Sequence, residues 1–275
     1  MFNLSIIPIF FSISSIFFIS FYYGSDKISL KIFLLFLFVY IGWLLFAKIF
    51  YKLKFKNSLS LIISLIFFYL ISYSNFIIAS ASSILFFIFY VYMVKKKINL
   101  DFKQFSYRNI FLFFGIIFLA WGIFSAIISY YQYSFLFIER LANSGHHLDN
   151  LFHNSISNMI KTYSIASLGV HELIPIDSYY LLSNYLIAAF SKIIEIEVYN
   201  FTNYSVFVFF VPIFILSIVS LLKDLDLQIN NFDIFFILLI LLFGWFPSEI
   251  IENVFNRHVI PDFNHINSIL GFILI

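Results

Sequence analysis

The polar side chains best suited to chemistry cluster between residues 146 and 157 of a chain that is 62% hydrophobic. On a helix, four positions would share one face at spacings of about one turn: His146, Asp149 or Asn150, His153 and Ser157. A carboxylate flanked by imidazoles can act as a general base, or it can hold a divalent metal ion with His146 and His153. Asp149 is therefore the candidate catalytic residue. A solvated polar face on a helix at the membrane surface would explain the same spacing without chemistry.

Several other kinds of site are excluded by composition and motif. The chain contains no cysteine, so it has no disulfide framework, thiolate metal site or cysteine nucleophile. The spacing of the histidines and Asp149 does not match the zinc-protease motif H-E-x-x-H. The net charge of +2 is too small to indicate a nucleic-acid partner.

The elements that must position these side chains are predicted to be membrane helices. Only 11% of the residues are charged, whereas soluble domains have about 25%. The apolar residues form blocks of about 17 to 23, which favours spanning helices over a barrel. We therefore expect an all-α, polytopic transmembrane protein. The predicted spans are 4–23, 30–50, 58–74, 76–94, 109–131, 201–222 and 231–247, and another begins near residue 268.

Lysine and arginine in the short loops predict the orientation of these spans. Residues 52–56 and 95–108 are both basic, and they lie on one side of the membrane if 58–94 folds as a hairpin of two spans. That side is predicted to be cytoplasmic, together with the N-terminus. The long polar segment 133–200 is then external.

Whether a second loop lies beside the polar segment 133–200 depends on how residues 178–194 are placed. This stretch of about 17 residues is interrupted by polar side chains, so it is predicted to lie on the membrane surface as an amphipathic helix. The loop 248–267 is then external as well. If 178–194 crossed the membrane, the two loops would lie on opposite faces and could not share a site.

The chain is predicted to have two parts. Residues 1–108 form four spans that serve as a scaffold, because they hold almost no charge within the membrane. Residues 109–275 carry the two external loops. The final residues begin a span that they do not complete, so we expect the chain to be part of a longer protein.

From about residue 109, the order of features resembles a known class of enzymes. An outward helix leads to a segment with His and Asp149, a Tyr-Ser-Gly break follows at 163–169, and Tyr179-Tyr180 opens a helix of the form Tyr-x-x-x-Ser-x-Tyr-Leu-x-Ala. An inward span and an outward span ending in proline come next. This order is similar to the N-terminal part of the GT-C class of polytopic membrane glycosyltransferases.

The resemblance implies an activity and roles for particular residues. Such enzymes transfer a sugar from a polyprenyl-phosphate carrier to an acceptor on the external face of a membrane. For this chain, the resemblance implies a bacterial inner membrane. Asp149 matches the acidic residue that activates the acceptor or binds a metal ion, and Asp262, or else Glu249 or Glu252, matches a second acidic position.

The external cations that could bind the donor phosphate are Arg140, Lys161 and Arg257, and His258 and His265 could complete a polar rim. Ordinary snorkelling of basic side chains at the membrane surface would also explain these cations.

Other functions stay open on the sequence alone. A polymerase of the O-antigen type shares the plan of many spans and a large external loop. A polysaccharide carrier would need charged or broken helices near the membrane midplane, and this chain has few beyond Pro212, Gly115 and Gly122. A membrane fragment without activity of its own is the remaining alternative.

Overall fold

The computed structural model describes residues 6–73, 145–167 and 181–225, with the positions 80, 83, 84, 86–88, 91, 114–118 and 120 between them. For residues 145–151 the description covers the backbone alone. All regular structure in these residues is helical, which confirms the all-α prediction. The predicted span 231–247 and the one from 268 lie outside the described residues, as do most of 76–94 and 109–131.

Seven α-helices are described from end to end. They are α1 (Ile7–Tyr23), α2 (Asp26–Ile49), α3 (Lys56–Ile71), α4 (Gly145–Tyr163), α5 (Leu182–Ile193), α6 (Val198–Ser205) and α7 (Val211–Asp224). A π-helical turn, Val206–Phe210, joins α6 to α7 in one continuous rod of 27 residues. Within the described residues, this rod and α2 are the two helices long and apolar enough to cross a membrane, and α1 and α3 are shorter apolar helices.

Apolar side chains cover much of the outside of the bundle, while hydroxyl groups lie inside it. Phe17 and Phe21 are 67% and 76% exposed, and Leu70 is 60% exposed. Ser12 and Ser64, by contrast, are fully buried. Exposed apolar side chains and buried hydroxyl groups are typical of helices in lipid, although many phenylalanines also lie in the interior of this bundle.

The closest pairing of helices, α2 with α3, depends on small residues. Gly42 faces Ser64, and a Cβ atom added at Gly42 would clash with the Ser64 hydroxyl oxygen. The same hydroxyl donates to the carbonyl of Val39 at 2.8 Å. Because position 42 has no side chain, the two helices come close enough for this bond to form.

The carboxylate of Asp224, at the end of α7, caps the start of α3. It accepts hydrogen bonds from the backbone N–H of Asn57 at 3.0 Å, the Asn57 side-chain amide at 2.7 Å and the backbone N–H of Ser58 at 2.8 Å. Phe55, the residue before α3, supplies no side-chain cap. Asp224 is 5% exposed, so these donors replace the water that a buried carboxylate loses. We call this contact the Asp224 clamp.

Trp43 and Lys223 complete the packing around the Asp224 clamp. The indole N–H of Trp43 donates to the backbone carbonyl of Asn57 at 3.0 Å. The Lys223 ammonium lies 5.0 Å from the centre of a Trp43 ring, which is cation–π range. The ends of α2 and α7 and the start of α3 therefore meet in one place, which we call the clamp end.

The other extremity of the bundle, the far end, is defined by contacts of α2 with the chain around α6. The Ser25 and Tyr204 hydroxyls are 2.9 Å apart, and Lys31 donates to the carbonyl of Ile194 at 3.2 Å. Helix α2 has 24 residues and rises by about 36 Å from the far end to the clamp end. The α6–α7 rod runs in the same direction as α2, with α6 at the far end and Asp224 at the clamp end.

The π-helical turn ends two residues before Pro212, which has no N–H to donate to the carbonyl four residues earlier, that of Val208 in the turn. Ser12 of α1 donates to this carbonyl at 2.7 Å, and both residues are fully buried. Membrane helices tolerate proline where a neighbouring hydroxyl and a local π-turn satisfy the freed backbone groups. This contact holds α1 against the middle of the rod.

Ser12→Ala should lower the free energy of unfolding by about 1–2 kcal/mol, because it removes the donor to a buried carbonyl. The measurement is unfolding of the purified protein in mixed detergent micelles. Ser14→Ala is the matched control, since the Ser14 hydroxyl donates only to Phe10 of its own helix. An equal decrease in the free energy of unfolding of the two variants would show that the hydrogen bond to Val208 stabilises the protein no more than a hydrogen bond within one helix.

Candidate functional site

Helix α4, which carries the predicted chemistry, packs against α5 and α6 at the far end. Ile156 and Ile160 are buried against Ala188 of α5, with Phe152 and Tyr185 partly buried beside them. Helix α4 is amphipathic, as the sequence predicts, and α5 falls within the segment 178–194 that is predicted to form a surface helix.

The polar face of α4 is partly turned inward. The Ser157 hydroxyl is fully buried and donates to the Asn184 side-chain carbonyl at 3.1 Å. The Asn184 amide nitrogen lies 3.5 Å from Nδ1 of His153. On the neighbouring row of α4, Asn154 accepts a hydrogen bond from Thr202 at 2.6 Å. Solvation therefore does not explain this part of the face, because its side chains join α4 to α5 and α6.

A cavity of about 570 Å³ opens between the end of α3, one side of α4 and the turn from α5 to α6. Four charged side chains line it: Lys161, Lys192, Glu195 and Glu197. Ser72 and Asn158 add neutral polar groups. The cavity brings cations and carboxylates together at the far end of the bundle, and we call it the charged cavity.

Lys161 is held in place at the wall of the charged cavity. Its ammonium donates to the carbonyl of Ile196 at 2.6 Å. Burial lowers the pKa of Lys161 below its ordinary value, and the negative charges of Glu197 and Glu195 partly oppose that shift. One of its N–H groups is used by the carbonyl, and an ammonium has two more for an anion.

Glu195 is held in a left-handed backbone conformation at the rim of the charged cavity, with φ of 52°. The N–H of Ile196 bonds the carbonyl of Ser191 at 3.0 Å, and the N–H of Glu195 bonds that of Lys192 at 3.3 Å. This pair of bonds is a Schellman motif, in which glycine usually occupies the left-handed position. A glutamate there carries backbone strain, and such strain is concentrated at functional positions.

The predicted site residues fall into three groups. Lys161 lines the charged cavity, and His153 contacts Asn184. His146 and Asp149 lie on α4, but their side chains are outside the described part of the chain. The remaining predicted residues all lie outside the described residues: Arg140, Glu249, Glu252, Arg257, His258, Asp262 and His265. No group of three metal-ligating side chains occurs among the residues that the structure describes.

Three charged residues of the cavity are not among the predicted site residues. Lys192 interrupts the apolar pattern of 178–194, and that interruption is the local signal that marks it. Glu195 and Glu197 follow as an acid-x-acid pair just after the helix. Neither signal predicts that α4 brings Lys161 to the same cavity, because Lys161 is about 30 positions away from these residues in the sequence.

No family model, curated protein or solved structure matches this chain.

Glu195→Gly should raise the free energy of unfolding by about 0.5–1 kcal/mol, because glycine adopts the left-handed conformation without a Cβ clash. Glu195→Ala is the matched control, since it removes the carboxylate but keeps the Cβ atom. Detergent unfolding of both variants tests the prediction. If alanine stabilises as much as glycine, the carboxylate rather than the backbone is the source of strain.

Proposed function

We propose that this chain is a multi-pass membrane protein that transfers a sugar from a polyprenyl-phosphate donor, with its chemistry at the far end of the helices. The charged cavity carries this proposal, because it joins two lysines and two glutamates at the end of the helices that could cross a membrane. Phosphoryl groups are bound by such cations, and glycosyl transfer needs a carboxylate beside them.

The two ends of the bundle support an external position for the charged cavity. Lys52, Lys54 and Lys56 lie at the clamp end, which the positive-inside rule assigns to the cytoplasm. Helix α1 begins at this end, which agrees with a cytoplasmic N-terminus. The charged cavity lies at the opposite end, on the external side.

The path of the chain between Ser72 and Val198 supports a surface position for α5. Both residues line the charged cavity, so this part of the chain begins and ends on one side of the membrane and crosses it an even number of times. The predicted spans 76–94 and 109–131 supply two crossings. Helix α5 has 12 residues and rises by about 18 Å, less than the hydrocarbon thickness of about 30 Å.

The chemistry would use the two kinds of charge in one step. Lys161 and Lys192 bind the donor phosphate, and an acceptor hydroxyl attacks the anomeric carbon as the bond from that carbon to the phosphate oxygen breaks. The hydroxyl proton passes to a carboxylate, for which Glu195 and Glu197 are the described candidates. The lipid chain of the donor extends along the apolar helices into the membrane.

Asp149 keeps a role in this scheme only if the acceptor extends along α4. It precedes Lys161 by a rise of about 18 Å on the helix axis. A phosphate bound at Lys161 and a hydroxyl activated by Asp149 would then be too far apart to react directly. Asp149 is thus a candidate for binding the acceptor or a metal ion, with His146 and His153, while the base lies in the charged cavity.

Binding of the donor carrier tests the phosphate site. Undecaprenyl phosphate should bind the purified protein in detergent, and Lys161→Gln with Lys192→Gln should weaken it at least tenfold, because both cations of the cavity are lost. Lys27→Gln is the matched control, since Lys27 is an exposed lysine near the far end and does not line the cavity. Undecaprenol, which lacks the phosphate, should bind all variants alike. Equal binding of the two lipids by the unmodified protein would contradict the proposal.

Transfer from a labelled polyprenyl-phosphate hexose in proteoliposomes tests the carboxylates. The variant with both Glu195→Gln and Glu197→Gln should lose about 10²–10⁴-fold in rate, as expected for loss of a general base. Asp149→Asn should lose less. Full activity in the double variant together with no activity in Asp149→Asn would move the chemistry to the start of α4, and full activity in every variant would exclude these carboxylates.

A further inference from the structure

The loop between α2 and α3, residues 50–55, exposes alternating apolar and basic side chains at the clamp end. Tyr51, Leu53 and Phe55 are 64%, 47% and 50% exposed. Lys52 and Lys54 stand between them and are also exposed. We call residues 50–55 the basic loop.

The basic loop has no acidic partner close in the sequence. No Asp or Glu occurs between Lys27 and residue 100. Of the acidic side chains that the structure describes, Asp224 alone lies at the clamp end, and its carboxylate already accepts hydrogen bonds from Asn57 and Ser58. The positive charge of the loop is therefore available to an anion from outside the described chain.

The side chains of the basic loop suit a lipid surface better than a soluble anion. The Lys52 ammonium lies 5.7 Å from the ring centre of Tyr51, and that of Lys54 lies 5.6 Å from the ring centre of Phe55. Each cation is thus next to an aromatic ring, an arrangement that places the ring among headgroups and the ammonium beside their phosphates. In a membrane-spanning bundle, a loop that joins two apolar helices lies at the membrane surface.

We propose that the basic loop binds the headgroups of anionic phospholipids in the leaflet at the clamp end. Lys52 and Lys54 contact the phosphates, while Tyr51, Leu53 and Phe55 insert among the glycerol and upper acyl groups. The proposal requires that the helices span a membrane, but it does not depend on sugar transfer at the far end.

Lipid retention by the full chain tests the proposal, using native mass spectrometry in detergent with phosphatidylglycerol or phosphatidylcholine as the probe. Lys52→Gln and Lys54→Gln should each weaken phosphatidylglycerol binding by about fivefold, the usual contribution of one lysine at an anionic surface. Phosphatidylcholine binding should not change. The matched control is Lys27→Gln, near the far end, which should leave both affinities unchanged.

Two further measurements decide what the loop recognises. Leu53→Ser should weaken the binding of both lipids, because insertion depends on the apolar side chain and not on headgroup charge. Millimolar inorganic phosphate should not displace phosphatidylglycerol, and displacement would show that the loop binds free anions. The proposal is also overturned if a variant that carries both Lys52→Gln and Lys54→Gln retains phosphatidylglycerol as well as the unmodified chain. Transfer activity measured in neutral lipid should not change in the loop variants, so this result and the test of the charged cavity are independent.

Discussion

The Asp224 clamp is the contact on which the layout of the described structure depends. A buried carboxylate requires hydrogen-bond donors, and the exposed N–H groups at the start of a helix require an acceptor. Asp224 and the first turn of α3 satisfy each other across 167 residues of sequence separation. Because the clamp fixes the end of the rod beside the start of α3, it also determines which helix ends meet at the far end. The end of α3 and the start of α6, which both line the charged cavity, lie at that far end.

Small residues and hydroxyl groups supply the other contacts that hold the helices together. Gly42 and Ser64 let α2 and α3 approach, and Ser12 satisfies the backbone that Pro212 leaves open. Where the surroundings are as apolar as the side chains, helices gain little from burying leucine or phenylalanine. Close packing and satisfied backbone groups then determine which helices associate. The buried serines and the exposed Phe17 and Phe21 fit this rule, whereas several other phenylalanines are fully buried in the interior of the bundle.

The helices themselves could be predicted from the sequence, because apolar stretches of about 20 residues with few charges are typical of long helices. The predicted spans 30–50 and 201–222 match α2 and the α6–α7 rod to within a few residues at each end. The spacing of the polar residues in α4 also predicts its polar face. The sequence does not predict the Asp224 clamp, since Lys223 and Asp224 look like ordinary polar residues at the end of a span. The sequence does not predict the charged cavity either, because the cavity depends on how α4 packs against the turn after α5. In addition, Glu195 has a left-handed conformation that a sequence usually signals with glycine.

The separation of charge between the two ends is the central claim: lysines of the basic loop on one side of the membrane and the charged cavity on the other. Single cysteines at Lys54 and Asn158 test it directly, since the chain has no cysteine and both positions are exposed. In intact cells, a membrane-impermeant maleimide should label position 158 but reach position 54 only after the membrane is permeabilised. Labelling of both positions from the same side would contradict the claim.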